Sequence, residues 1–154
     1  RIFHIGRKNI DPEGYELAKR SYKDRMFQQD IGWCQDPIQA AWLGLSEETR
    51  QRVVKRYTAK NPIALFPVFW KSTYDWSPDQ DNGVVAQITL QSMLIKYDED
   101  KIYLCPAWPK EWDVKFKLHG PQNTIIEGEV ENGKLNYSVF PKSRENAVYS
   151  LIKK

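Results

Sequence analysis

Apolar positions in roughly the first two thirds of the chain recur at helical spacing, and in the last third they alternate. Asp11-Pro12-Glu13 is a helix start: an N-cap acceptor, proline at the first helical position, and an acid near the positive dipole end. Tyr15, Ala18, Tyr22 and Met26 then share one face. Asp36-Pro37 repeats the signal, with Ile38, Ala41 and Trp42 as its apolar face and Gly44 as the stop. Ser46-Glu47-Glu48 opens a third helix. Val53, Val54 and Tyr57 are expected inward, and Arg52, Lys55, Arg56 and Lys60 on a solvated face. Asn61-Pro62 ends it, because the residue before proline is pushed out of the α region.

Residues 61–83 read as a long aromatic connection, a kind of segment that often carries function. Val84 to Tyr97 reads as a fourth helix, apolar nearly all round (Val84, Val85, Ile88, Leu90, Met93, Leu94, Ile95) and so expected to be buried in a larger helical assembly or to expose apolar surface without one.

After Asp98-Glu99-Asp100 the period falls to two. Val114, Phe116 and Leu118 alternate with Lys115, Lys117 and His119; Ile126, Gly128 and Val130 alternate with glutamates. Asn132-Gly133 predicts a type I′ hairpin turn, with Leu135, Tyr137 and Val139 on the returning strand. Ala147, Tyr149 and Leu151 predict a last strand. The fold class is therefore α+β, with a helical segment 1–98 and an antiparallel β domain 99–154 having one polar face.

Composition narrows the function classes. The 154 residues are 41% hydrophobic and 28% charged, with no apolar run near the roughly 20 residues of a membrane span. Net charge is only +3, and the glutamates beside Lys115 and Lys117 argue against a nucleic-acid stripe. Cys34 and Cys105 make no disulfide framework, and His4 and His119 have no metal-spaced partners, so no cofactor or metal is expected. Asn136-Tyr137-Ser138 is a glycosylation sequon inside a predicted strand, best read as chance. The chain opens on Arg1 without a leader, which reads as a piece of a longer or processed protein.

Three blocks carry a resemblance over nearly the whole chain. They are Gly32-Trp33-Cys34 with Ala40-Ala41-Trp42-Leu43; Pro78-Asp79-Gln80-Asp81-Asn82-Gly83 running into Leu90-Gln91-Ser92-Met93-Leu94; and Ile102-Tyr103-Leu104-Cys105-Pro106-Ala107-Trp108-Pro109-Lys110-Glu111-Trp112. In this order the chain resembles the C-terminal end of six-hairpin, (α/α)6-barrel glycosidases. The nearest group is the glycoside hydrolase family 95-like proteins, which include α-L-fucosidases. The resemblance implies the last helices of a toroid followed by a β-sandwich-like domain, an oligosaccharide or glycan substrate, and a secreted or periplasmic location. In that family an aspartate of an Ile-Asp-Gly-Asn-Phe-Gly motif precedes the last barrel helix. Asp81 falls on it, although here the motif reads Gln80-Asp81-Asn82-Gly83-Val84-Val85. The family's acid glutamate and two asparagines would lie before Arg1, in the remainder of a larger polypeptide.

Glycoside hydrolysis uses one group to protonate the leaving oxygen and another to activate water or attack. Asp81, at the positive end of the fourth helix, suits the second role or that of an orienting anion. Asp75 and Asp79 are alternatives, and so is plain helix capping by Asp79 or Asp81. Trp70, Tyr74 and Trp76, with Asp79 and Asn82, are the candidate substrate-binding residues; the aromatics serve equally as packing over a barrel rim. Trp108 and Trp112 read as the junction of the two segments. With one candidate catalytic group and few helices, the isolated chain is expected to be inactive. The competing reading is a non-catalytic structural or carbohydrate-binding module, distinguished by whether Asp81 lines an open concavity.

Overall fold

A computed structural model describes residues 12–58 and 80–152. Four helices come first: α1 (Pro12–Asp24), α2 (Asp36–Trp42), α3 (Ser46–Thr58) and α4 (Asp81–Leu94). Six strands follow: β1 (Ile95–Asp98), β2 (Lys101–Leu104), β3 (Val114–Gly120), β4 (Thr124–Glu131), β5 (Lys134–Phe140) and β6 (Val148–Ser150). A 3-10 turn, Lys142–Ala147, joins β5 to β6. The α+β organisation is as the change of period predicts.

The β3-β4-β5 meander is fully antiparallel. Asn132 (φ 50°) and Gly133 (φ 73°) sit in the left-handed region at its second turn, as a type I′ turn requires. Gly128 stands opposite Phe116, whose ring fills the space a Cβ would take.

Met26 lies beyond the end of α1 at Asp24 and is 88% exposed, instead of sharing its apolar face, and four further details differ from the sequence reading. First, α4 begins at Asp81 and ends at Leu94, and Ile95–Asp98 is a strand paired with β2. The helix stops because the Leu104–Ala107 segment takes its last carbonyls: Cys105 N–H donates to Leu94 O (2.7 Å) and Ala107 N–H to Met93 O (3.3 Å). The β1–β2 hairpin thus spans the position at which the two segments were divided.

Second, the strands form two sheets. β6 leaves the meander and runs parallel to β2, with Val148 opposite Ile102. Val148 is buried, while Ala147 lies in the 3-10 turn and Tyr149 and Leu151 are exposed. Two interleaved apolar phases are present in this stretch, and pairing with β2 selects the other one.

Third, Asp36 is the first helical residue of α2 rather than its cap; the cap position is Gln35. The Asp36 carboxylate instead pairs with Arg25 and accepts from the Gln29 N–H at 3.3 Å. The other end of α2 closes as expected: Gly44 takes φ 69°, Gly44 N–H donates to Ala41 O and Leu45 N–H to Ala40 O, a Schellman arrangement.

Fourth, on α3 Val54 and Tyr57 are exposed, whereas Arg56 is fully buried. Thr49, Val53 and Arg56 share the buried stripe, so the guanidinium occupies a place an apolar side chain usually holds.

One continuous apolar cluster runs from Ala41, Val53 and Met93 through Ile102, Leu104 and Trp108 to Ile126, Val130 and Val148. Helices and both sheets therefore share a core. Trp108 and Trp112 meet edge to face at its rim, and Trp108 Nε1 donates to Trp112 O at 2.8 Å. A smaller cluster of Tyr15, Ala18, Tyr22, Ala40 and Leu43 seats α1 on α2. No helix among the described residues is long and apolar enough to cross a membrane.

Candidate functional site

The first turn of α4 is fixed by a residue from α3. Arg56 is 0% exposed. Its Nη1 donates to Gly32 O (3.0 Å), to Asn82 Oδ1 (3.0 Å) and to Asn82 O (3.2 Å), and its Nη2 donates to Cys34 O (2.8 Å). No carboxylate pairs with it among the described residues, and its Nε–H has no hydrogen-bond partner there. Burial pushes the guanidinium pKa down from its ordinary value, as expected when the charged form is desolvated. An arrangement this costly is more readily explained by geometric specification than by stability. What it specifies is the apposition of two chain segments: the Gly32-Trp33-Cys34 turn and the start of α4.

Each of the two segments presents an exposed side chain with chemistry to offer. Trp33, between the two carbonyls that Arg56 holds, is 65% exposed. Asp81, next to Asn82, is exposed as the first residue of α4. The cap position is Gln80, with no side-chain cap bond, so Asp81 is not the N-cap. Helix dipole and guanidinium both bring positive potential to this end of α4.

Asn82 is 0% exposed and turned inward to Arg56, so as placed it faces protein and not solvent. Trp70, Tyr74, Trp76 and Asp79, together with Asp75, lie outside the described residues. The structure thus locates Asp81, redirects Asn82, and adds Trp33 and Arg56. The sequence carried a usable signal for Arg56, its seven-residue spacing from Thr49 on the buried stripe. Trp33 stood in the Gly32-Trp33-Cys34 block of the resemblance but had no local pattern to assign it to a site; its exposure marks it.

The turn is anchored from α3 on its other side. Asp30 pairs with Arg52 and with Lys55 (3.0 Å), and Arg52 Nη2 reaches Glu48 at 2.9 Å. Tyr22 OH donates to Glu48 Oε1 at 2.9 Å, and burial, the largest influence, pushes its phenol up to about 12. Burial opposes ionisation of Asp30, but hydrogen bonds from Lys55 and Arg52 outweigh it and hold the carboxyl below its ordinary value. Cys34 Sγ approaches Gln29 Oε1 at 3.3 Å, and Cys105 is a buried thiol pushed up to about 12 by desolvation. No group of three His, Cys, Asp or Glu among the described residues is placed to hold a metal ion.

Comparison with protein-family models, with curated proteins and with solved structures found no match.

Proposed function

We propose that this chain is the C-terminal portion of a carbohydrate-active glycoside hydrolase of the six-hairpin, (α/α)6-barrel type. In this reading α1–α4 close a toroid, and the strands belong to a β-sandwich-like domain that follows it. Asp81 is the carboxylate that accepts a proton from water or orients the group that does. The general acid comes from the rest of a longer polypeptide, and the substrate is an oligosaccharide or glycan.

One observation carries the reading: a buried arginine, with no carboxylate partner among the described residues, holds an exposed tryptophan turn against the helix start that exposes Asp81. A sugar ring offers an apolar face to an indole and hydroxyls to a carboxylate, so such a pair suits a pyranose. Trp70, Tyr74, Trp76 and Asp79 remain candidates for further subsite walls on the same connection into α4.

Asp81→Asn in the longer polypeptide tests this. Asn keeps a polar first-turn residue but cannot serve as a base. Turnover of aryl glycosides is expected to fall about 10²–10⁴-fold, the usual worth of a general base. The thermal midpoint should be nearly unchanged, because Asp81 is exposed and does not cap α4. Unchanged turnover would remove Asp81 from the chemistry.

A further inference from the structure

Toward the other end of α4 lies a concavity. A cleft of about 870 Å³ opens between the outer side of α4, strand β1 and the end of β3. That volume is within the roughly 300–1,000 Å³ typical of small-molecule sites. Gln91, which borders it, is ten residues from Asp81, about 15 Å along a helix. The cleft is therefore separate from the Asp81 end.

Two aromatic side chains line it: Trp42, from the last turn of α2, and Tyr97, on β1 and 59% exposed. Ile88, 41% exposed, adds an apolar wall. Among the fixed charges Lys96 and Lys117 balance Asp98 and Glu99, and His119 completes the titratable groups. Both lysines are already engaged. Lys96 Nζ donates to Trp42 O (3.1 Å), where it neutralises the C-terminal end of α2, and Lys117 Nζ pairs with Glu127 (2.6 Å). No surplus cation is left for a phosphate or sulfate.

Aromatic faces, mixed donors and acceptors, and cancelling charge match a neutral polyhydroxylated ligand. A pyranose stacks its C–H face on an aromatic ring and exchanges hydrogen bonds from its rim with amides and carboxylates. We infer that this cleft is a second, non-catalytic binding subsite for neutral oligosaccharide. Tyr97 and Trp42 supply the stacking surface, and Gln91 and Glu99 the hydrogen bonds. The inference goes beyond the proposed function and does not require Asp81 to be catalytic.

The experiment uses the full chain on an array of neutral tri- to hexasaccharides built from glucose, xylose, mannose, galactose and fucose, with sulfated and sialylated glycans alongside. Hits are then titrated calorimetrically against the parent, Tyr97→Ala, Gln91→Ala and Trp33→Ala. Tyr97 and Gln91 are exposed, so their variants should fold. The expected result is retention of neutral glycans only, weakened at least tenfold by Tyr97→Ala and severalfold by Gln91→Ala. Binding confined to charged glycans, or to none, overturns the inference. So does binding lost in Trp33→Ala but kept in Tyr97→Ala. That last outcome would move the sugar to the Asp81 end and leave the proposed function standing.

Discussion

The β3-β4-β5 meander and the region around Arg56 use charge in opposite ways. In the meander, Lys115 pairs with Glu129 (2.9 Å) and Lys117 with Glu127 (2.6 Å) across adjacent strands, all on the solvent side. The inner face is apolar, through Ile126, Val130 and Val139. Around Arg56 the polarity is inverted. An arginine, Asn82, Thr49 and Thr89 are fully buried, while Val84 and Ile88 on the same α4 are 40% and 41% exposed. The sheet separates polar from apolar by residue parity, and each strand does so alone. The helical region satisfies its polar groups only when three distant segments come together. Charge at a surface ladder therefore decorates a fold, whereas charge at a buried junction dictates where segments meet.

Arg56→Met should break the contrast most. It strands the carbonyls of Gly32, Cys34 and Asn82, each a loss of about 1–3 kcal/mol, offset partly by no longer burying a charge. A net loss of about 3 kcal/mol in urea unfolding is expected. Hydrogen exchange at the Cys34 amide, which donates to Ile31 O, should also speed up before global unfolding as the turn separates from α4. If stability holds and this exchange is unchanged, Arg56 does not organise this end of the molecule.

Gly133→Ala probes the other region. At φ 73° a Cβ is strained, although the nearest atom it meets, Lys110 O, is at an ordinary 3.4 Å. The expected cost is about 1–2 kcal/mol, read from the same urea midpoint, with no change in Cys34 amide exchange. A cost equal to that of Arg56→Met would erase the distinction between locally and globally specified regions.

Acid should weaken the helical region through Asp30. Its folded pKa lies below the ordinary 3.8, so its contribution is complete above that value and is lost as pH falls through the folded value. Thermal midpoints compared between about pH 6 and about pH 3 should drop further for the parent than for Asp30→Asn. Equal drops would assign the acid sensitivity elsewhere.

The smallest effect is expected at the sheet surface. Lys115 and Glu129 are well exposed, and glutamate raises the Lys115 pKa without burying it. A double-mutant cycle of Lys115→Ala and Glu129→Ala should show no coupling resolvable by thermal melts. Strong coupling there would mean that surface pairs hold the meander as the buried junction holds the helices.

How much of this was legible in the chain follows from the range of each interaction. The helix starts near Pro12, Pro37 and Ser46, to within a residue at α2, the Gly44 stop, the meander and the Asn132-Gly133 turn are set by residues within a few positions of one another, and the sequence by itself determined them. It also placed Asp81 at a helix start. Three things needed partners far along the chain. The end of α4 at Leu94 depends on the Cys105 and Ala107 amides; the burial of Arg56 depends on carbonyls 22 to 26 residues away. The phase of β6 depends on Ile102 of a different sheet. The same holds for the two proposed sites. The identity of Asp81 is local, but its apposition to the Trp33 turn, and the cleft between Trp42 and Tyr97, exist only once α2, α3, α4 and the strands are packed. Local sequence fixes which backbone conformations are favoured. Only tertiary contact decides which polar groups find their partners inside.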